Sequence, residues 1–361
     1  MQILSRREVI NRAREEKKKI ALVFPIYYPS ALLRSFNIQP IEIWNADNVE
    51  LSLADAHIQS YTCSIGRVLL SFVTDKRFEN DYDLIWIPHI CDTFQQIGSL
   101  IVDFIKPRAS VFNFYLPKRD DKIGIDFCKD ELKRGIKFLE EVTSLPFNPE
   151  RFKSELDKEI ELNHLLKRVY LQREYLPISD YEFYQLIYAR TYLPIDEFTL
   201  LLKNLLKNTN SNVRKVQRKI FVSGISIEPP EIFNIINSHN SVVVFDDLAI
   251  SQRRLFGDIE ISEDLLKMQS EIMLTTSPDP EKGSQIIKRA ERLIQEAKRC
   301  GATGGLFFIM KFCEPEFFDY PQLRNYLSAE GIRTFLIEYE MSSKISKQNI
   351  NRIQSFLEGL R

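Results

Sequence analysis

Eight short apolar runs, spaced so that a helix fits between successive members, constrain the fold of this chain more than any other feature. Four lie in the first third, at 20–25 (IALVFP), 41–44 (IEIW), 84–88 (LIWIP) and 111–116 (VFNFYL). Four more follow at 219–224 (KIFVSG), 242–247 (VVVFDD), 305–312 (GLFFIMKF) and 334–339 (TFLIEY). Runs of this length without apolar/polar alternation predict strands buried on both faces, and helical segments between them predict the crossovers of parallel sheets. From about 150 to 210 the pattern changes to long amphipathic stretches at helical spacing. The predicted fold is therefore α/β: two Rossmann-like or flavodoxin-like lobes with parallel sheets, joined by a helical connector. The boundaries are an N-terminal lobe at 1–147, the connector at 148–214 and a C-terminal lobe at 215–361. A length of 361 residues suits about two domains at roughly 150 residues each. The polar stretch 207–219 (KNTNSNVRKVQRK) reads as an exposed boundary, and no sequence repeat is strong enough to show duplication.

The charge balance narrows the partners. Forty-nine Lys and Arg against 50 Asp and Glu leave a formal charge of −1, so there is no basic field to gather phosphate backbones, and no nucleic-acid partner is expected. No apolar run approaches the roughly 18–20 residues of a membrane span, so no membrane partner is expected either. The first twenty residues are dense in both charge signs and lack a secretory pattern, which predicts a cytoplasmic location. Five cysteines, at 63, 91, 128, 300 and 313, are an odd and scattered set, poor material for a disulfide framework.

Ligands of open α/β sheets bind beyond the carboxyl ends of the strands, so the residues just after each run are the candidates for chemistry. Cys91 follows LIWIP and Cys313 follows GLFFIMKF, one in each lobe. Cys63, in SYTCSIGRVLL, sits at a predicted loop-to-helix junction, where free backbone N–H groups favour a thiolate. Three thiolates and no CxxC pair fit a structural zinc site poorly, since such sites close with four protein ligands. They would suit an iron-sulfur cluster with one iron left open. Spacing alone leaves the plainer alternative standing, that each thiol is a small buried hydrophobe. Cys128 and Cys300 have no strand-end placement and read as packing residues. No phosphate loop, GxGxxG turn, HExxH or GxSxG elbow is present. Of the four histidines only His89 adjoins a candidate ligand. Asp246-Asp247 reads as the cap of a following helix or turn rather than a cation site.

Seven fragments, in order, resemble one family. They are Tyr28-Pro29-Ser30-Ala31-Leu32-Leu33 with Pro40; Cys63; Pro88-His89-Ile90-Cys91-Asp92; Leu116-Pro117; Val244-Phe245-Asp246-Asp247; Lys311-Phe312-Cys313-Glu314-Pro315-Glu316-Phe317-Phe318-Asp319-Tyr320-Pro321; and Asn351 to Glu358. They resemble the cluster-binding subunits of 2-hydroxyacyl-CoA dehydratases and benzoyl-CoA reductases, with Ala31 where the family usually has Glu. The resemblance implies a 4Fe-4S cluster with Cys63, Cys91 and Cys313 as the iron ligands. It also implies a paralogous cluster-binding subunit, in a hetero- or homodimer, and a separate ATP-dependent iron-sulfur activator. The implied reaction is elimination of water from an acyl-CoA thioester through a ketyl radical after one-electron reduction. The alternatives are a reductase or electron carrier of the benzoyl-CoA reductase type, or a non-catalytic supporting subunit. Ser30, Glu50 and His89 are cleft candidates by position only.

Overall fold

The structure, a computed structural model, describes residues 3–44, 49–209, 217–341 and 344–360. All eight runs are strands: β1 Lys19–Val23, β2 Ile38–Glu42, β3 Leu84–His89, β4 Ser110–Tyr115, β5 Arg218–Gly224, β6 Ser241–Leu248, β7 Gly304–Met310 and β8 Arg333–Tyr339. They form two four-stranded sheets, ordered β2-β1-β3-β4 and β6-β5-β7-β8, and every pairing is parallel. The second sheet repeats the order of the first, an architectural likeness that the sequence does not display as a repeat. In each sheet the chain steps outward from the first strand to the second, then crosses back past the first to reach the third. That reversal leaves a crevice beyond the carboxyl ends of β1 and β3, and another beyond β5 and β7.

Burial explains why the runs were readable. β7 is buried along its whole length and β1 and β3 nearly so, because helices cover both faces. The edge strands β4 and β8 expose part of their side chains, among them Tyr115, Arg333 and Glu338. β2 starts earlier than the sequence suggests, since Ile38 and Gln39 already pair with Lys19 and Ile20. β6 runs through Asp246 and Asp247, both fully buried within the strand. Only Asp246 acts as a cap, accepting from the backbone N–H of Leu248 and Gln252 at the following turn.

The stretch predicted to be helical contains helices Pro149–Leu171, Asp180–Ala189 and Ile195–Lys207. The first opens on an Asn148 cap with Pro149 in its first turn. The predicted boundary at 214/215 lies outside the described residues. Ser179 and Glu182 form a capping box that starts the second helix. Ser179→Ala is expected to lower stability by about 1 kcal/mol in a urea titration, with the slope of the transition unchanged.

Several polar contacts tie the halves together. Helix Pro149–Leu171 reaches the second half through Asn163, whose side chain exchanges hydrogen bonds with the backbone of Phe256. Arg254 forms a two-pronged pair with Glu42 at 2.7 and 3.1 Å, the Tyr27 hydroxyl donates to Asp279 at 2.7 Å, and Met341 N–H donates to Ser64 Oγ at 3.0 Å. With these contacts made, residues beyond the carboxyl ends of both sheets border one space. No helix among the described residues is long and apolar enough to cross a membrane.

Candidate functional site

That space is a pocket of about 460 Å3. Its walls are the segments leaving the strands: Pro25 and Ile26 after β1, Trp44 after β2, Ile90 and Cys91 after β3, Ile225 after β5, Ala249 after β6, and Phe312 and Cys313 after β7. Both chain-reversal crevices thus open into a single cavity. Cys63 joins the other two cysteines in its lining, so the structure brings all three sequence-selected thiols to one place.

Each of the three occupies the same local position. Cys63 precedes helix Ser64–Thr74, Cys91 precedes Asp92–Leu100 and Cys313 precedes Glu314–Ala329, so every one is the N-cap of a helix. None makes a close capping hydrogen bond through its sulfur. The N–H groups three positions on, at Gly66, Phe94 and Glu316, nevertheless act on each thiol in the direction that favours thiolate. Helix N-termini carry about half a positive charge, which adds to that effect. Burial acts the other way and prevails in the metal-free protein. It raises Cys63; it pushes Cys91 up to about 12, with Cys63 and Glu281 adding to the rise; and it drives Cys313 well above the usual thiol range, helped by Glu281, Glu316 and Cys63. Since Cys63 acts on both of the others, the three sulfurs belong to one electrostatic neighbourhood, and thiolates there need a positively charged guest.

No three His, Cys, Asp or Glu side chains among the described residues are arranged to hold a single metal ion. The three cysteines line one pocket. A lone zinc needs four ligands closing on one centre, whereas a cluster offers a different iron to each thiolate. A donor set of three thiols around an apolar pocket fits the cluster.

Behind Cys313 lies a buried charge network. Its thiol donates to Glu281 Oε1 at 3.8 Å. Arg253, fully buried, donates to Glu316 at 2.6 Å and Asp247 at 3.0 Å, and lies 3.6 Å from Glu281 and 3.7 Å from Asp279. Arg289 reaches Asp247, Glu316 and Asp319 at 3.0, 2.8 and 3.0 Å, and Arg292 reaches Asp247 at 2.7 Å. Against burial, which would raise it, the three guanidiniums hold Asp247 below the usual carboxylate range. Burial and the adjacent Asp279 push Glu281 well above that range. Phe312 turns the chain between β7 and the Cys313 helix with φ 64, an uncommon conformation for a bulky residue.

The other sequence-selected residues lie elsewhere. Ser30 lines a separate small cavity and donates to Glu159. Glu50 is exposed and accepts from Ser52 Oγ. His89, the last residue of β3, is half-buried with its ring nearly perpendicular to that of Tyr115, the centroids 4.8 Å apart, and burial lowers its pKa. None of the three is in the lining of the cysteine pocket. Cys128 is buried in helix Lys122–Thr143 and Cys300 ends helix Ile286–Cys300, both away from the pocket. Sequence reasoning missed Glu281, Arg253, Trp44 and Lys118. Besides the cysteines, the lining residues that lie inside a recognised fragment are Ile90, Asp92, Phe312, Glu314, Pro315 and Phe318.

Two parallel-sheet lobes facing each other across a three-cysteine pocket define a class, and the sequence comparisons agree with it: the chain belongs to the 2-hydroxyglutaryl-CoA dehydratase, D-component, family, whose family model matches residues 25–360. Among curated proteins it is similar to the (R)-phenyllactyl-CoA dehydratase beta subunit of Clostridium sporogenes, at 25% identity over 93% of this chain and 90% of that one. It is 24% identical to the lactoyl-CoA dehydratase subunit beta of Anaerotignum propionicum, over 94% of this chain and 91% of the relative. A benzoyl-CoA reductase subunit of Thauera aromatica is 23% identical, over 91% of this chain and 87% of that one.

Proposed function

We propose that this chain carries a 4Fe-4S cluster on Cys63, Cys91 and Cys313 as a subunit of a 2-hydroxyacyl-CoA dehydratase-like enzyme, which eliminates water from an acyl-CoA thioester. The observation that carries this reading is the set of three N-capping cysteines lining one pocket between the lobes. In this reading lobes 1–147 and 215–361 are the functional units flanking a connector at 148–214. Cys63 and Cys91 come from the first and Cys313 from the second, so the cluster spans the junction. The relatives named as subunits support a paralogous partner chain. A separate ATP-dependent activator protein delivers the electrons in this reading, with which a sequence lacking a phosphate loop is consistent. Five free thiols suit a reducing cytoplasm.

When bound, the cluster supplies single electrons and an iron not taken by protein sulfur. The chain's own residues do the rest. Three helix N-termini offset the charge of three thiolates. Ile26, Trp44, Ile65, Phe94, Met310 and Phe318 make a largely apolar wall that excludes water from a reactive radical site. The Glu281 carboxyl, whose ionised form is disfavoured by burial and by Asp279, faces the Cys313 sulfur at 3.8 Å. Lys118 also lines the pocket and offers a cation to an anionic substrate group.

Anaerobic purification tests the reading. The expected product is a brown protein with about four iron and four sulfide per chain, depleted in each of Cys63→Ser, Cys91→Ser and Cys313→Ser. Colourless, iron-free wild type after anaerobic reconstitution overturns it. Similarity to a reductase subunit favours a second reading, a reductase or electron carrier, beside which stands a non-catalytic supporting subunit. Assays with partner, activator, ATP and a panel of 2-hydroxyacyl-CoAs separate these, since only a dehydratase releases enoyl-CoA. Activity that survives loss of this chain's cluster but not of the partner's marks the supporting role.

A further inference from the structure

A second cavity, of about 50 Å3, lies where the first half, the connector helices and the second half meet. Three guanidinium groups line it: Arg34, on helix Ser30–Ser35; Arg190, just after helix Asp180–Ala189; and Arg254. Tyr28, Gln39 and Glu159 complete its polar wall. Two of the arginines are engaged. Arg254 is paired with Glu42, as above, and Arg34 donates to Glu155 at 2.7 Å and to Glu159 at 3.0 Å.

Arg190 stands apart. Among the described residues it has no hydrogen-bond acceptor and no ion-pair partner, only longer-range interactions. The two nearby acids are already committed. Glu42 serves Arg254, the Tyr28 hydroxyl and Trp44 Nε1, while Glu159 serves Arg34 and Ser30. Burial, together with the Arg254 charge, lowers the Arg190 pKa to about 10, and attraction from Glu159 and Glu42 does not offset this. An arginine fork turned toward a cavity, unpaired beside a second cation, is in place for an anion that the chain does not provide.

We propose that this cavity binds a phosphoryl-type oxyanion, with the Arg190 guanidinium as its principal ligand. A planar fork presents parallel N–H donors that match two oxygens of a phosphate, which an ammonium cannot do. The volume is several times the roughly 10–15 Å3 that one water requires, so it admits a four-oxygen anion and excludes a nucleoside. The bound group would therefore be free inorganic phosphate or a terminal phosphoryl group inserted from outside, such as the 3′-phosphate of coenzyme A. The inference is independent of the cluster, and only its coenzyme A source rests on the acyl-CoA reading proposed above.

Thermal unfolding of the full chain at constant ionic strength tests it, with wild type, Arg190→Gln and Arg190→Lys. Saturating inorganic phosphate is expected to raise the wild-type midpoint by about 3 °C. Arg190→Gln should lose this rise, and in phosphate-free buffer it should be at least as stable as wild type, because a half-buried cation without an ion-pair partner, repelled by Arg254, has been removed. Arg190→Lys should keep a smaller rise. Coenzyme A and its 3′-dephospho form distinguish the sources: a rise with the first and not with the second or with inorganic phosphate assigns the site to the coenzyme's 3′-phosphate. No rise in wild type, an equal rise in Arg190→Gln, or a loss of stability in Arg190→Gln that is the same in both buffers overturns the proposal. Should Arg190→Gln fail to fold, Arg190 has a structural partner in the chain and the proposal fails.

Discussion

Arg253→Met is expected to lower stability by about 3–5 kcal/mol, a large part of the roughly 5–15 kcal/mol that holds a typical domain together. The magnitude follows from what the guanidinium leaves behind. It is fully buried and lies within 4 Å of four carboxyl groups, on Asp247, Asp279, Glu281 and Glu316. With it gone, Arg289 and Arg292 remain for Asp247 and Arg289 for Glu316, but Asp279, fully buried, keeps no guanidinium within 4 Å. Pairing of buried ions is often no better than packed apolar residues; what is costly is to remove one partner alone. Adding Asp279→Asn to Arg253→Met should therefore recover part of the loss, and the two changes should not add. Urea midpoints of the two single variants and the double variant measure this. A midpoint for Arg253→Met within experimental scatter of wild type would refute the account. The variant should also hold less iron under the proposed function, because Arg253 grips the first turn of the Cys313 helix through Glu316 and stands beside the Glu281 carboxyl that touches Cys313.

The strands were legible because parallel strands covered on both faces carry continuous apolar runs, and segments such as LIWIP and GLFFIM contain little else. The cysteines were legible for a related reason: where a strand ends at a chain reversal, the next residues face the ligand crevice, and Cys91 and Cys313 follow β3 and β7 directly. That reasoning gives the end of the sheet and not the direction of a side chain. His89 closes β3 and packs against Tyr115 instead of facing the pocket, and Glu50 lies exposed beyond β2. The charge network was illegible altogether. Asp247, Arg253, Asp279, Glu281, Arg289, Glu316 and Asp319 are scattered over more than seventy positions, and each alone has the composition of a solvated surface. Their burial results from mutual pairing across β6, the turn after it, the turn at 279–282 and two helices, which no periodicity encodes. The shared strand order of the two sheets was hidden in the same way, since topology is held by helix crossovers that tolerate almost any apolar sequence.

Gly224→Ala is expected to be the most damaging single-methyl change in the second sheet, at about 3 kcal/mol or more. Gly224 ends β5 between β6 and β7, paired with Leu248 on one side and Phe308 on the other, and its φ is 143. A Cβ built there would lie 2.1 Å from the Phe308 carbonyl oxygen. Neither obstacle can be relieved by a side-chain rotation, because the conflict is with backbone at the centre of a buried sheet. The chain must therefore part β5 from β7 at their carboxyl ends, where Ile225, Met310, Phe312 and Cys313 line the pocket. Gly331 is the control: it also has a left-handed φ, 74, but an added Cβ meets nothing within 4 Å. Gly331→Ala should cost only about 1 kcal/mol, the price of the conformation alone. The difference between the two midpoints in urea isolates the collision with Phe308. If the two variants lose equal stability, β5 and β7 separate without strain, and the close approach of these strands is not what fixes the floor of the cysteine pocket.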